Sequence, residues 1–430
     1  MLVRLCQILY ACCVQIGASA PTMFRLRGSG PTGVRLGIGI CLRRVLECGG
    51  GALPKFGQIL STRPDLLPEE VREHLAKLQD QMPNVGRSKI SQLIHSEFSD
   101  TQFRELDLEP EASATIAQVH RAVRADDGQE VALKIMRPRV RAQIDRDCQL
   151  ARVLLPLIGM VGTLRSIPMR EVVGEVATTL RRQTDFVCES ANLSRLRADF
   201  RNYPGILIPE VHTELCSKTI LCMDYIRGLR KITDRSIPDS QARDLVRSGL
   251  HALYRMIFET GFLHCDLHPG NLQVAPDGRL VILDTGLMTE LEDSTRRAFA
   301  EFFAAIALRR GTRAAEIIRA TALRLPQDLN TASFDSEIAD LVDRTGGLTA
   351  EHFNVASFVG ELFAIQARHG ILGTSRFSLI ILALLVYEGT TKERYADLDF
   401  QQEAIPFVLG ALITYPQETS LTAAAVRPSS

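Results

Sequence analysis

The chain has 430 residues, 46% of them hydrophobic and 23% charged, with 50 basic and 50 acidic side chains and no net charge. This length and balance fit a folded protein of two or more lobes. With no net charge there is no global attraction to a polyanion, so nucleic acid is not an expected partner.

Taken in chain order, the first feature is a basic leader. Residues 1–46 carry Arg4, Arg25, Arg27, Arg35, Arg43 and Arg44 and no Asp or Glu. With apolar runs at residues 2–3 and 8–10, such a stretch can lie on an anionic membrane surface. The same composition suits a transit peptide, Ala18-Ser19-Ala20 resembles a signal-peptidase site, and an unordered terminus is the plain alternative. Export ranks last. The expectation is a cytoplasmic protein, peripheral at the membrane where the leader engages it.

Gly49-Gly50-Gly51 reads as a joint. A helix follows, punctuated by Pro64 and Pro68, and it continues over residues 69–80 with Leu75 and Leu78 at helical spacing. Residues 88–98 read as a short amphipathic helix. Two β-type runs, 117–123 and 130–135, flank the hairpin signal Asp126-Asp127-Gly128. Helical pattern runs from 140 to 200 with a break near Pro168, and residues 206–209 and 219–223 are again β-rich. From Asp239 onward the reading is helical apart from one hairpin, 272–274 and 280–283, around Ala275-Pro276-Asp277-Gly278. A sheet-bearing first half and a helical second half make an α+β protein of two lobes. The ten Cys show no CxxC or ligand spacing and read as reduced thiols, without a disulfide framework or zinc site. The apolar run 379–387 is far short of the ~20 residues of a spanning helix, so no transmembrane helix is expected.

The strongest chemical signal is His264-Cys265-Asp266-Leu267-His268-Pro269-Gly270-Asn271, followed by an apolar strand that ends in Asp284-Thr285-Gly286. Asp266 and Asn271 match the D-x-x-x-x-N of a kinase catalytic loop, where the Asp faces the attacking hydroxyl and the Asn oxygen binds a metal. The hairpin between Asn271 and Asp284 returns the chain to one edge, so that Asp284 can supply a second hard-oxygen ligand to Mg²⁺. Turn chemistry alone explains Pro269-Gly270 but not the strand ending in Asp-Thr-Gly.

Upstream, Lys134 lies inside the apolar run Val131-Ala132-Leu133-Lys134-Ile135, in a chain where only seven basic side chains are Lys. In kinases such a Lys grips the α- and β-phosphates; an edge-strand Lys that discourages aggregation is the competing reading. Just before it, Ala112, Ser113, Ala114, Thr115, Ile116 and Ala117 stand where a kinase has its glycine-rich phosphate loop. Their backbone amides can cradle phosphate, although each Cβ limits how closely the chain approaches.

With these motifs in order, the chain resembles the UbiB (AarF-type) atypical kinase-like family from about residue 45 to about 410. Lys55-Phe56-Gly57-Gln58 is similar to that family's K-x-G-Q motif, residues 112–120 to its alanine-rich loop, and the segment from Gln183-Thr184-Asp185 to Asn192 to its E-x-D region. The resemblance implies a two-lobed protein-kinase-like fold with a family-specific helical extension over the nucleotide cleft. It implies a leader at 1–46, the K-x-G-Q extension at 47–110, an N-lobe at 111–225, a C-lobe at 226–410 and a tail at 411–430.

By the same resemblance Lys134 pairs with Glu189, which shares one helix face with Asp185. Lys55 and Gln58 project toward the nucleotide, on the side where a protein kinase seats its peptide. Gln183 departs from the family's Glu, which weakens the usual ion pair with Lys55 to an ion–dipole bond, with Asp185 as a substitute partner. Thr285 replaces a Phe and removes an apolar plug beside the metal. ATP and Mg²⁺ are the implied cofactors, and an anionic membrane surface, lipids or quinone precursors the implied partners.

The expected activity is that of an ATPase or small-molecule or lipid-linked phosphotransferase in isoprenoid-quinone or lipid metabolism. No A-P-E sequence or long activation segment follows Asp284, so protein phosphorylation in trans is not expected. Two other readings compete. An aminoglycoside-phosphotransferase-like kinase shares the H-x-D-x-x-x-x-N loop but lacks the Lys55–Gln58 helix, and a non-catalytic nucleotide-binding scaffold would not need intact Asp266, Asn271 and Asp284.

Overall fold

The computed structural model describes residues 30–49, 53–61, 69–78, 84–99, 101–158, 169–346, 354–391 and 398–414, with isolated positions between 14 and 28 and at 67, 394 and 395. The apolar runs at 2–3 and 8–10, Ala20, Gly50, Gly51, Pro64, Pro68, the break near Pro168 and the tail from 415 lie outside the described residues.

Contacts divide the chain into two units, of which the first comprises Met1–Ala198, Ile208–Arg227 and Asp284–Leu287. It opens with helices α1 (Gly30–Gly49), α2 (Leu53–Ser61) and α3 (Glu69–Leu75). Glycines set how closely these helices approach. A Cβ at Gly39 would sit 3.0 Å from the backbone of Glu70 and Val71, and one at Gly57 would overlap Leu78 and Leu46. Leu46, Leu60, Val71, Leu75 and Leu78 close the resulting apolar cluster. The boundary expected at residue 46 falls inside α1, whose Leu46 belongs to this core.

The chain continues through α4 (Arg87–Glu97), β1 (Phe103–Leu106), β2 (Ala112–Ser113), β3 (Ala117–Arg124), β4 (Glu130–Met136), α5 (Val140–Ile158), α6 (Met169–Arg182) and α7 (Phe186–Asp199). After β5 (Ile206–Leu207), which belongs to the second unit, β6 (Ile220–Asp224) completes the sheet of the first. The strand order is β1-β3-β4-β6, with β2 paired to β3. β3 and β4 run antiparallel from Ala117 opposite Met136 to Val123 opposite Glu130. Their turn is the Asp-Asp-Gly expected from sequence, with Gly128 at φ +73°, a conformation that a Cβ would strain. Alternation along β4 puts Val131, Leu133 and Ile135 into a cluster with Ile90 and Ile94 of α4. Lys134 therefore points to the opposite face, the side of Met136 and Phe186.

The second unit holds Asp199–Leu207, Gly228–Leu283 and Met288–Ser430. After β7 (Arg230–Lys231) come α8 (Asp239–Arg255), β8 (Phe262–His264), β9 (Leu272–Val274), β10 (Leu280–Ile282), β11 (Met288–Glu290), α9 (Asp293–Ala307), α10 (Gly311–Ala320) and β12 (Ala322–Arg324). Helices α11 (Thr331–Thr345), α12 (Val355–Arg368), α13 (Ser375–Thr391) and α14 (Phe400–Thr414) follow, with β13 (Leu372–Gly373) between α12 and α13. One sheet has the order β5-β10-β9-β7, and β8 pairs with β11 and β12 with β13. The last two pairs correct the expectation of a single hairpin after Asp239. Strands of two or three residues have no measurable period, and only their distant partners define them.

Two buried tyrosines tie the helices of this unit together. Tyr254 Oη donates to the Phe400 carbonyl and Tyr387 Oη to that of Val246, each at 2.6 Å. Phe258, Phe303 and Phe407 pack against the Tyr254 ring, and Phe299 stacks on Phe258. Among the described residues no helix is long and apolar enough to cross a membrane.

Candidate active site

In the first unit the side chain of Lys134 is held between two carboxylates. Its Nζ donates to Glu189 Oε1 at 2.5 Å and to Asp284 Oδ2 at 3.0 Å. The Phe186 ring, at the start of α7, lies 5.4 Å from the ammonium and adds a cation–π contact. The Glu189 side chain is 1% exposed and that of Asp284 is 41% exposed, so one partner is sealed in and the other faces out. Burial on its own would lower the Lys134 pKa; the charges of Asp284 and Glu189 outweigh it and hold the pKa above the ordinary value. Burial, with the nearby Asp284 charge adding to it, raises Glu189 to about 7 against the opposing pull of Lys134. The second Glu189 oxygen, Oε2, is buried without a hydrogen-bond partner.

The turn that carries Asp284 is bolted to α7. Thr285, fully buried, donates from Oγ1 to the Glu189 carbonyl at 3.1 Å, and Asn192 Nδ2 donates to the Thr285 carbonyl at 3.0 Å. The Gly286 amide donates to Asp284 Oδ1 at 2.8 Å, and a Cβ on Gly286 would crowd that oxygen at 3.1 Å. Thr285 thus replaces the expected apolar plug with a hydrogen-bonded brace. A hydroxyl can hold two backbones together where a phenyl ring can only fill space.

The other sequence candidates distribute around this cluster. Gln183 lies beside Gly286, and its Oε1 is buried without a partner. Asp185 caps α7, its Oδ1 accepting the Cys188 amide at 3.1 Å. Gln58 donates to the Leu78 carbonyl at 3.0 Å, which ties α2 to the end of the α3 segment. Helix α2, which carries Lys55, packs on α6, and Gln183 follows directly after α6. The loop 112–117 is a tight β2–β3 turn in which the Ala114 amide donates to the Ala117 carbonyl at 2.9 Å. Arg137 holds this turn, with Nε on the Ala114 carbonyl and Nη2 on Ser113 Oγ, both at 2.7 Å. Sequence reasoning missed Arg137; it read Thr285 only as the loss of an apolar plug and Asn192 only as the end of the E-x-D segment, without the bonds they make. The only available signal for Arg137 was its place just after the Lys134 strand.

In the second unit the loop between β8 and β9 carries Asp266 and Asn271. It is organised locally: the Asp266 amide donates to His264 Nδ1 at 3.1 Å, the Gly270 amide to His268 Nδ1 at 2.9 Å, and Asn271 Nδ2 to the Asp266 carbonyl at 2.9 Å. The Asp266 side chain remains 24% exposed, 3.9 Å from His268 Nε2. β9 and β10 pair antiparallel, and the Leu283 amide reaches the Asn271 carbonyl at 3.3 Å. Asp284 is the next residue in the chain. Among the described residues, no group of three or more His, Cys, Asp or Glu side chains could hold a metal ion by itself.

Comparison with known proteins sets this geometry in context. Residues 77–318 match the ABC1 atypical kinase-like domain. A protein of Shewanella woodyi named "Probable protein kinase UbiB" is 32% identical over 381 residues, covering 85% of this chain and 68% of that protein. A protein of the same name from Tolumonas auensis is 29% identical over 398 residues, 90% of this chain and 72% of that one. Among solved structures, the complex of Rv3197 with erythromycin from Mycobacterium tuberculosis aligns with a TM-score of 0.52 at 20% identity, over 79% of this chain and 90% of that one. The fold is kinase-like.

Proposed function

The chain belongs to the ABC1 atypical kinase-like family, and on that premise we propose that it binds Mg-ATP and either hydrolyses it or passes the terminal phosphoryl group to a small or lipid-linked acceptor. The observation that carries the reading is Lys134 clamped between Glu189 and Asp284. In the proposed scheme Lys134 holds the α- and β-phosphates while Glu189 fixes its ammonium. Asp266 orients the attacking hydroxyl or water and takes up its proton. Asn271 and Asp284 would hold Mg²⁺. The donor chemistry fits: both offer hard oxygens, and the amide nitrogen of Asn271 is already spent on the Asp266 carbonyl. Phosphate oxygens and water would complete the coordination. Once bound, the cation neutralises charge that develops between the phosphates.

What surrounds these motifs supports a small or lipid-linked acceptor. Only residues 285–292 separate Asp284 from α9, and three of them form β11, which leaves no long segment to dock a peptide. The resemblance to the UbiB family leads us to place the acceptor in isoprenoid-quinone or lipid metabolism, and a peripheral place at the membrane would bring the protein to such acceptors. The test is ATP turnover with and without anionic liposomes and quinone-precursor phenols, together with thermal stabilisation by Mg-ATP. Asp284→Asn should remove the stabilisation by Mg-ATP. Equal stabilisation of this variant and the unsubstituted protein would overturn the site.

A further inference from the structure

The loop at residues 112–117 has no glycine and joins β2 to β3 within three residues. Its own backbone supplies one bond across the turn, from the Ala114 amide to the Ala117 carbonyl. A second restraint is Arg137, the residue directly after β4, three positions beyond Lys134. Arg137 reaches the loop at three points: its backbone amide donates to the Ile116 carbonyl at 2.8 Å, Nε to the Ala114 carbonyl and Nη2 to Ser113 Oγ. At the other end, Tyr225, just past β6, donates from Oη to Glu111 Oε1 at 3.0 Å.

We infer that Arg137 is a positioning residue for nucleotide binding. It locks the small-residue loop into one conformation and ties that conformation to the strand that carries Lys134. The inference rests on the ATP reading above and deepens it. The planar fork of a guanidinium can serve a carbonyl and a hydroxyl at once, which the single point of an ammonium cannot. The loop is thereby preorganised by a side chain, where a glycine loop relies on backbone freedom and pays in ordering entropy when a ligand arrives. The Tyr225–Glu111 contact restrains the approach to the loop from a second strand and should contribute less, because it is a single bond at an exposed site.

The test uses the full chain with Mg-ATP and the variants Arg137→Gln, Arg137→Lys and Tyr225→Phe. In the nucleotide-free protein, amide exchange at Ala114 should speed up in Arg137→Gln, which reads loop order with no assumption about ATP. The Mg-ATP Kd and KM should rise about tenfold in Arg137→Gln, the size expected for losing charge-assisted hydrogen bonds. They should rise less in Arg137→Lys and least in Tyr225→Phe, with kcat within about twofold throughout. Unchanged Ala114 exchange in Arg137→Gln would overturn the clamp. Faster exchange with an unchanged Kd would overturn its role in nucleotide binding. Absence of Mg-ATP binding by the unsubstituted protein would instead remove the ATP reading, and with it the role assigned to the clamp, whatever the exchange shows.

Discussion

Lys134, Glu189 and Asp284 come together across separations of 55 and 150 residues, whereas Asp266 and Asn271 lie five residues apart in a loop held by its own hydrogen bonds. The first group is a set of charges, one of them fully buried, that neutralise one another where water cannot. The second keeps its acid partly exposed and draws its shape from backbone amides and histidine rings. The contrast teaches that damage to the two should look different. Breaking the cluster should unfold the protein as well as disable it, and changing the loop's acid should leave a stable protein that turns over slowly.

Lys134→Ala is the harshest way to probe this contrast. It leaves Glu189 buried beside Asp284 with no cation, and denaturant unfolding should show a loss of about 3 kcal/mol or more. Adding Glu189→Gln to the same chain should restore part of that stability, since the uncompensated charge goes. If Lys134→Ala is as stable as the unsubstituted protein, the cluster is not the structural unit described above. Asp266→Asn comes next. Turnover should fall by about 10² to 10³-fold as the proposed proton acceptor is lost, while stability stays within about 0.5 kcal/mol. An equal fall in stability and turnover would erase the distinction between the two regions.

Thr285→Val sharpens the comparison inside the first unit. It keeps the shape and deletes the hydroxyl that braces the Asp284 turn to α7, which should lower stability by about 1 kcal/mol. Mg-ATP affinity should fall with it, because Asp284 loses its anchor; a stability loss with unchanged affinity would show that the brace serves folding alone.

The smallest effect concerns pH and a group outside both regions. His120 on β3 is buried, its Nδ1 bonds the Asp107 carbonyl at 3.0 Å, and Nε2 is buried without a partner. Burial lowers its pKa below the ordinary histidine value of 6.5. The unfolded chain therefore takes up this proton more readily than the folded one. Stability is unaffected by His120 above about pH 6.5 and is lost as pH falls below it. Melting temperatures between pH 5 and 8 should show that acid-side slope, and His120→Gln should flatten it.

The sequence by itself determined the parts whose chemistry is local. Asp266 and Asn271 declare themselves because one loop must carry both at a fixed spacing. The β3–β4 hairpin does so because Asp-Asp-Gly sits between two alternating runs. Lys134 stands out as a rare cation inside an apolar strand, and the family resemblance then supplied Glu189 as its partner. Tertiary structure alone decided which groups close the distances left over. Arg137 carries no pattern of its own, and the motifs that hold Thr285 and Asn192 do not foretell their bonds, which exist only once folding sets each donor beside a particular carbonyl or hydroxyl. The pairs β8–β11 and β12–β13 escaped notice for the same reason. A period or a spacing is written along the chain, but a hydrogen bond between distant residues is fixed only by the packing that brings them together.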